Sequence, residues 1–109
     1  MSGFRKVATL DEIRRLGSLV VKCGETRIAL FRTEDDRVFA AEDKCPHKAG
    51  PLSQGIVHGC RVTCPLHNMV LDLETGFAVA PDVGKVRTFP AKVDDGAIWL
   101  DTSGLAAAA

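Results

Sequence analysis

Residues 45–67, CPHKAGPLSQGIVHGCRVTCPLH, hold all three histidines of the chain and three of its four cysteines. They fall into two short arms, Cys45-Pro46-His47 and Cys64-Pro65-Leu66-His67, each offering one thiol and one imidazole. The surrounding segment, residues 43–84, is dense in Gly and Pro and poor in continuous strand pattern. A long, weakly regular insert in a small domain needs a physical reason. Metal–ligand bonds supply one, because they hold loops that packing alone would leave open.

Two metal readings fit the arms. A structural zinc ion would take all four side chains in one tetrahedron. Common zinc patterns, however, pair cysteine with cysteine and then histidine with histidine. Here each arm alternates. A two-iron, two-sulfide cluster accounts for the alternation: each arm gives its cysteine to one iron and its histidine to the other. Cys45, His47, Cys64 and His67 are the candidate ligands under both readings. His58, between the arms, has no second ligand near it in sequence and reads as a surface or hydrogen-bonding residue at a turn after a strand. Cys60 reads as a spare thiol near the metal and Cys23 as a small buried residue ending a strand. Nothing in the sequence supports a disulfide between them.

The rest of the chain bounds the fold. Its 109 residues suffice for one domain, residues 1–103, with the tail from 104 to 109 expected to fray. A hydrophobic fraction of 46% is enough for a small core. Fourteen basic and fourteen acidic residues cancel, so no global charge favours nucleic acid or an anionic membrane. No segment has the length or apolar character of a membrane span or of a secretory signal. The expectation is a cytoplasmic protein, where clustered cysteines bind metal more often than they form disulfides.

The pattern is mostly β. ETRIALFRTEDDRVFAAED has two apolar runs about the polar tip Glu34-Asp35-Asp36 and predicts a hairpin. RTFPAKVDDGAIWLD predicts another, turning at Asp95-Gly96. GSLVVKC predicts a strand. One short helix is expected over Leu10–Leu16, with Thr9 as its cap, Glu12 closing a capping box, and Ile13 and Leu16 facing the sheet. Trp99 and the phenylalanines at strand positions are expected in the core. No phosphate-binding loop or nucleophile–base set stands out, so the chain is not expected to bind NAD(P)H or reduce a substrate alone.

The two arms resemble those of Rieske [2Fe-2S] proteins. GPLSQGIVHG, VTCPLHN, DLETG and VRTFPAKVDDG further resemble the small subunit of assimilatory NAD(P)H-dependent nitrite reductase, in a similarity running from about Val38 to Asp101. Soluble Rieske ferredoxins of ring-hydroxylating dioxygenase systems share the arms, but their second arm commonly reads Cys-Pro-Trp-His-Gly. Leu66 and Asn68 depart from that form, while Met69 departs from the Trp frequent in the nitrite reductase branch.

The resemblance implies an all-β fold of three antiparallel sheets, in which a base domain carries a loop-rich cluster-binding subdomain (residues 43–84). It implies one [2Fe-2S] cluster per chain, with Cys45 and Cys64 on an inner iron and His47 and His67 on an outer one. A third loop, Ala80–Gly84, would cover the cluster. The implied partner is a large nitrite reductase subunit carrying flavin, sirohaem and another iron–sulfur cluster, or else another redox partner protein such as a dioxygenase component. The residues add two expectations of their own. Pro46 and Pro65 stiffen the loops, and Lys44, Lys48 and Arg61, in a stretch without carboxylates, favour an acidic docking face.

Overall fold

The computed structural model describes residues 4–44, 51–64, 69–79 and 84–102. Ten strands run in the order β1 (Phe4–Thr9), β2 (Ser18–Cys23), β3 (Thr26–Arg32), β4 (Val38–Glu42), β5 (Ile56–His58), β6 (Arg61–Thr63), β7 (Val70–Asp72), β8 (Thr88–Phe89), β9 (Ala91–Asp94) and β10 (Ala97–Asp101). They form three antiparallel sheets: an end sheet β1-β10-β9, a central sheet β2-β3-β4-β8 and a small sheet β5-β6-β7.

The central sheet is built from the first predicted hairpin. In β3, TRIALFR, side chains alternate between faces, and both faces are apolar. Ile28 and Leu30 enter one core with Ala40, Ile98 and Leu100, against the end sheet. Ala29 and Phe31 enter the other with Val57, Val62 and Leu71, against the small sheet. All four are fully buried. A strand covered on both sides reads as a continuous apolar run, as this one does. Truncating Phe31 to Ala at this junction would cost about 3–5 kcal/mol.

Both predicted hairpins are present. Asp95 and Gly96 take φ of 52° and 75°, the two positive values that a tight two-residue β turn requires. The β9–β10 hairpin pairs Ala97 with Asp94 and Leu100 with Ala91. Pro90 breaks the run before it, so Thr88 and Phe89 pair instead with Ala41 and Ala40 of β4.

The short helix is reduced to a single 3-10 turn, Leu10–Glu12. Its start matches the prediction: the Glu12 carboxylate accepts from the Thr9 backbone N–H at 3.2 Å. Its continuation does not. The Arg32 guanidinium donates to the carbonyls of Leu10 (3.1 Å) and Ile13 (2.7 Å), taking acceptors that a longer helix would use. Leu16 already pairs with β3, its N–H donating to the Arg32 carbonyl at 2.9 Å. Ile13 is buried as expected, but Leu16 sits at φ 63° and is 44% exposed.

Three further expectations are corrected. The middle segment is not merely irregular, since it holds the complete small sheet in strands of three residues. β1, which pairs with β10, was not anticipated, because most of its side chains lie at or near the surface and it shows no clean alternation. Trp99 and the strand residue Phe39 are only half-buried, whereas Phe31 and Phe89 are core. Among the described residues no helix is long and apolar enough to cross a membrane.

Candidate metal centre

The small sheet and the strand edges around it bring the roots of three loops together. Val57, Val62 and Leu71 stand in register across the sheet, and Ala78 extends the row through a bridge to Leu71. These four side chains point into the core shared with the central sheet.

The second arm leaves from the end of β6. Cys64 directly follows Thr63 and is fully buried. Its N–H donates to the Met69 carbonyl at 2.7 Å, closing the loop between β6 and β7 at its root. Beside it, the Val79 N–H donates to the Val70 carbonyl at 2.8 Å, and the Ala78 N–H to the Gly84 carbonyl at 2.9 Å. The loop spanning residues 80–83 is therefore rooted next to the second arm.

The first arm leaves β4 through Asp43 and Lys44 and returns at Pro51. Asp43 closes this root, its carboxylate accepting from the Ser53 N–H at 2.7 Å and the Ser53 hydroxyl at 3.0 Å. The Ser53 carbonyl in turn accepts from the Ser18 hydroxyl at 2.5 Å, which anchors the return to β2. Gly55 then passes over β6, where a Cβ would lie 2.4 Å from the Thr63 carbonyl oxygen and 2.9 Å from Val62 Cγ2. Only glycine admits this approach, and it sets the return of the first arm directly against the residue before Cys64.

Cys64 is thus the one expected ligand among the described residues. Cys45, His47 and His67 lie outside them, as do Pro46, Lys48, Pro65, Leu66, Asn68 and residues 80–83 of the covering loop. Cys64 suits an inner thiolate, being buried at the junction of the loop roots and bonded in no disulfide. Among the described residues no group of three His, Cys, Asp or Glu side chains could hold a metal.

His58 and Cys60 stand elsewhere. His58 is exposed, with Nε2 2.7 Å from the Thr63 hydroxyl, which fits its reading as a hydrogen-bonding surface residue. Cys60 is corrected: it lies in the β5–β6 turn, at the opposite end of β6 from Cys64, about 13 Å of extended chain away. It is half-buried and free. Its Sγ accepts from Arg37 Nη2 at 2.9 Å, and this bond, followed by the charge of Asp35, holds the guanidinium above its ordinary pKa. Arg37 also reaches Asp35 at 2.9 Å and Glu74 at 3.6 Å, tying the far end of the small sheet to the tip of the β3–β4 hairpin. Arg37 gave no signal in the sequence, because its partners are brought together only by the fold. Cys23 ends β2, half-buried against the base core.

The model of the Rieske-like [2Fe-2S] domain matches residues 3–101. The chain belongs to this family. As a Rieske domain it is an electron carrier with one [2Fe-2S] cluster. It is 32% identical over 102 residues to the anthranilate 1,2-dioxygenase ferredoxin subunit of Burkholderia cepacia, covering 93% of this chain and 94% of that one. To the 4beta-methylsterol monooxygenase of Methylococcus capsulatus it is 38% identical over 84 residues, 67% of this chain, and the match spans 22% of that relative's length. Among solved structures, one described as the small subunit of an NADPH nitrite reductase superposes with a TM-score of 0.80 at 27% identity, covering 89% of this chain and 96% of that one. The three-sheet Rieske architecture implied by the arms is the architecture observed.

Proposed function

We propose that this Rieske domain is the small subunit of a cytoplasmic NAD(P)H-dependent nitrite reductase, passing single electrons within an assembly whose large subunit converts nitrite to ammonium. The cluster would be held by the thiolates of Cys45 and Cys64 and by the imidazoles of His47 and His67. The observation that carries the reading is the run from Pro51 to Asn68. It resembles the nitrite reductase small subunit in sequence, and it builds the roots of both arms through Ser53, Gly55 and Cys64.

Bound there, the cluster supplies one-electron redox chemistry. The chain's own residues do the rest. Burial of Cys64 keeps water from the inner thiolate. The histidine pair, on the outer iron, would turn its free ring nitrogens toward solvent and give electrons a short exit. Lys44, exposed at the root of the first arm, adds positive charge suited to an acidic partner, whereas Arg61 lies at the far end of β6 beside the β5–β6 turn and does not flank the arms. A second reading, a free-standing ferredoxin serving a ring-hydroxylating dioxygenase, is favoured by the near full-length identity to the anthranilate dioxygenase ferredoxin.

Anaerobically purified protein should contain two irons and two labile sulfides per chain. One zinc and no sulfide would overturn the cluster. Nitrite-dependent NAD(P)H oxidation that requires both this chain and the large subunit would support the first reading, and electron delivery only to a dioxygenase would replace it with the second.

A further inference from the structure

The small sheet has an outer face on which two large apolar side chains stand exposed. With Val57, Val62 and Leu71 turned inward, their neighbours on each strand turn outward. Next to the arm roots this outward row runs Ile56, Thr63, Val70 and Val79, three of them aliphatic. Ile56 is 70% exposed and Phe77, one row further on, 55%. Among the described residues only Leu16, in the base domain, is another large exposed hydrophobic side chain. Two of the three therefore lie on this face, at opposite corners, with Val70 and Val79 between them, and an apolar row of this kind marks an interaction surface more often than isolated apolar residues do.

The charges at its edge have one dominant sign. Arg61 is exposed and has no ion pair among the described residues. The Lys85 ammonium lies over the Phe77 ring, 5.7 Å from its centre. The one carboxylate on this face, Asp72, is turned into its own loop, accepting from the Glu74 N–H at 2.8 Å. Apolar centre and basic rim are complementary to an apolar surface ringed by carboxylates. The face also begins beside Cys64 and Met69, so a partner seated on it lies alongside the cluster loops.

We infer that the outer face of the small sheet, built on the row Ile56, Val70 and Val79 with Phe77 at its far corner and edged by Arg61 and Lys85, docks the electron-transfer partner protein through an apolar surface ringed by carboxylates. The inference rests on the electron-carrier reading, and on the nitrite reductase reading for the identity of the partner.

The test titrates the holoprotein into two assays, nitrite reduction by the large subunit and turnover of a dioxygenase oxygenase component, and reads the half-saturating concentration. With Ile56→Asp and Phe77→Asp combined, that concentration should rise at least about tenfold, the range of a lost interface anchor, while the maximal rate, the cluster's EPR spectrum and its midpoint potential stay unchanged. Arg61→Glu should flatten the salt dependence of half-saturation. Leu16→Asn, on the base domain, should leave both assays as they are. Unchanged half-saturation in the double variant overturns the docking face. If only the oxygenase assay responds to the wild-type chain, the nitrite reductase reading falls, and the docking face is judged by the same shift there. If neither responds, both readings fall. A wild-type dimer that Ile56→Asp converts to monomer would assign the face to a second copy of this chain and overturn the inference.

Discussion

Asp36 joins two parts of the base domain with one carboxylate. It accepts from Arg15 at 2.9 and 3.1 Å and from Arg32 at 2.8 and 3.1 Å, while its backbone takes φ 67°. Hydrogen bonds from Arg15 and then Arg32 lower its pKa from an ordinary 3.8 to about 2. A group depressed in the folded state contributes stability above its unfolded pKa and loses it as pH falls through the folded one. Asp36→Asn keeps the preference for positive φ and removes the charge. The variant should therefore melt below wild type at pH 7, with the difference closing between about pH 4 and pH 2. A gap that persists below pH 2 would show that the loss is conformational. The ligand set makes a second prediction at this scale. His58→Ala should leave the visible spectrum unchanged, whereas His67→Cys should lower the midpoint potential, because added thiolate charge disfavours an added electron. Bleaching by the His58 change alone would invalidate the ligand set. Spacing is what separates these two histidines in the sequence, and the variants test that separation. The sequence places Asp36 in a hairpin tip, where aspartate tolerates positive φ, but holds no sign of its two arginine partners or of the left-handed Leu16, since Arg15, Arg32 and Asp36 meet only in the tertiary structure.

Among the elements, the loop roots do the positioning. Hairpin turns and the long alternating strands of the central sheet were legible, because apolar pattern and turn chemistry agree there. The strands of the small sheet were not, since three residues are too few to display a period. The closures at Asp43 and Gly55 were equally hidden, although both glycine and aspartate were in view, because their partners, Ser53 in a 3-10 turn and Val62 and Thr63 of β6, lie seven or more residues further along the chain and are met only in the fold. Gly55→Ala should cost about 1–3 kcal/mol, the range for overpacking against fixed backbone, and should lower the fraction of protein purified with a cluster. Asp43→Ala removes both bonds to Ser53 and should speed cluster loss during mild heating, followed by the decay of visible absorbance. An unchanged decay rate would mean the first arm is held by its ligands alone.

At the scale of the whole molecule, the cluster's potential integrates everything around it. Rieske centres span roughly −150 to +300 mV, and this one should fall in the low part of that span. High-potential members of the family carry a disulfide between the cluster loops and hydroxyl donors to the cluster sulfurs. Here the corresponding loop positions are Gly50 and Leu66, and the chain contains no tyrosine. Exposed lysines and arginines pull the potential upward, but salt screens them. Protein-film voltammetry near pH 7 decides it; a midpoint above about +100 mV would require a donor not foreseen in the sequence. β4 and β8 are hydrogen-bonded neighbours, and the Glu42 N–H donates to the Arg87 carbonyl at 2.8 Å. The whole excursion that carries the arms therefore departs and returns across a single ladder step. Yet the excursion is not self-contained, because its sheet shares a core with Ala29 and Phe31 of β3; moved to another β scaffold, residues 43–86 would need a host strand that presents the same apolar face.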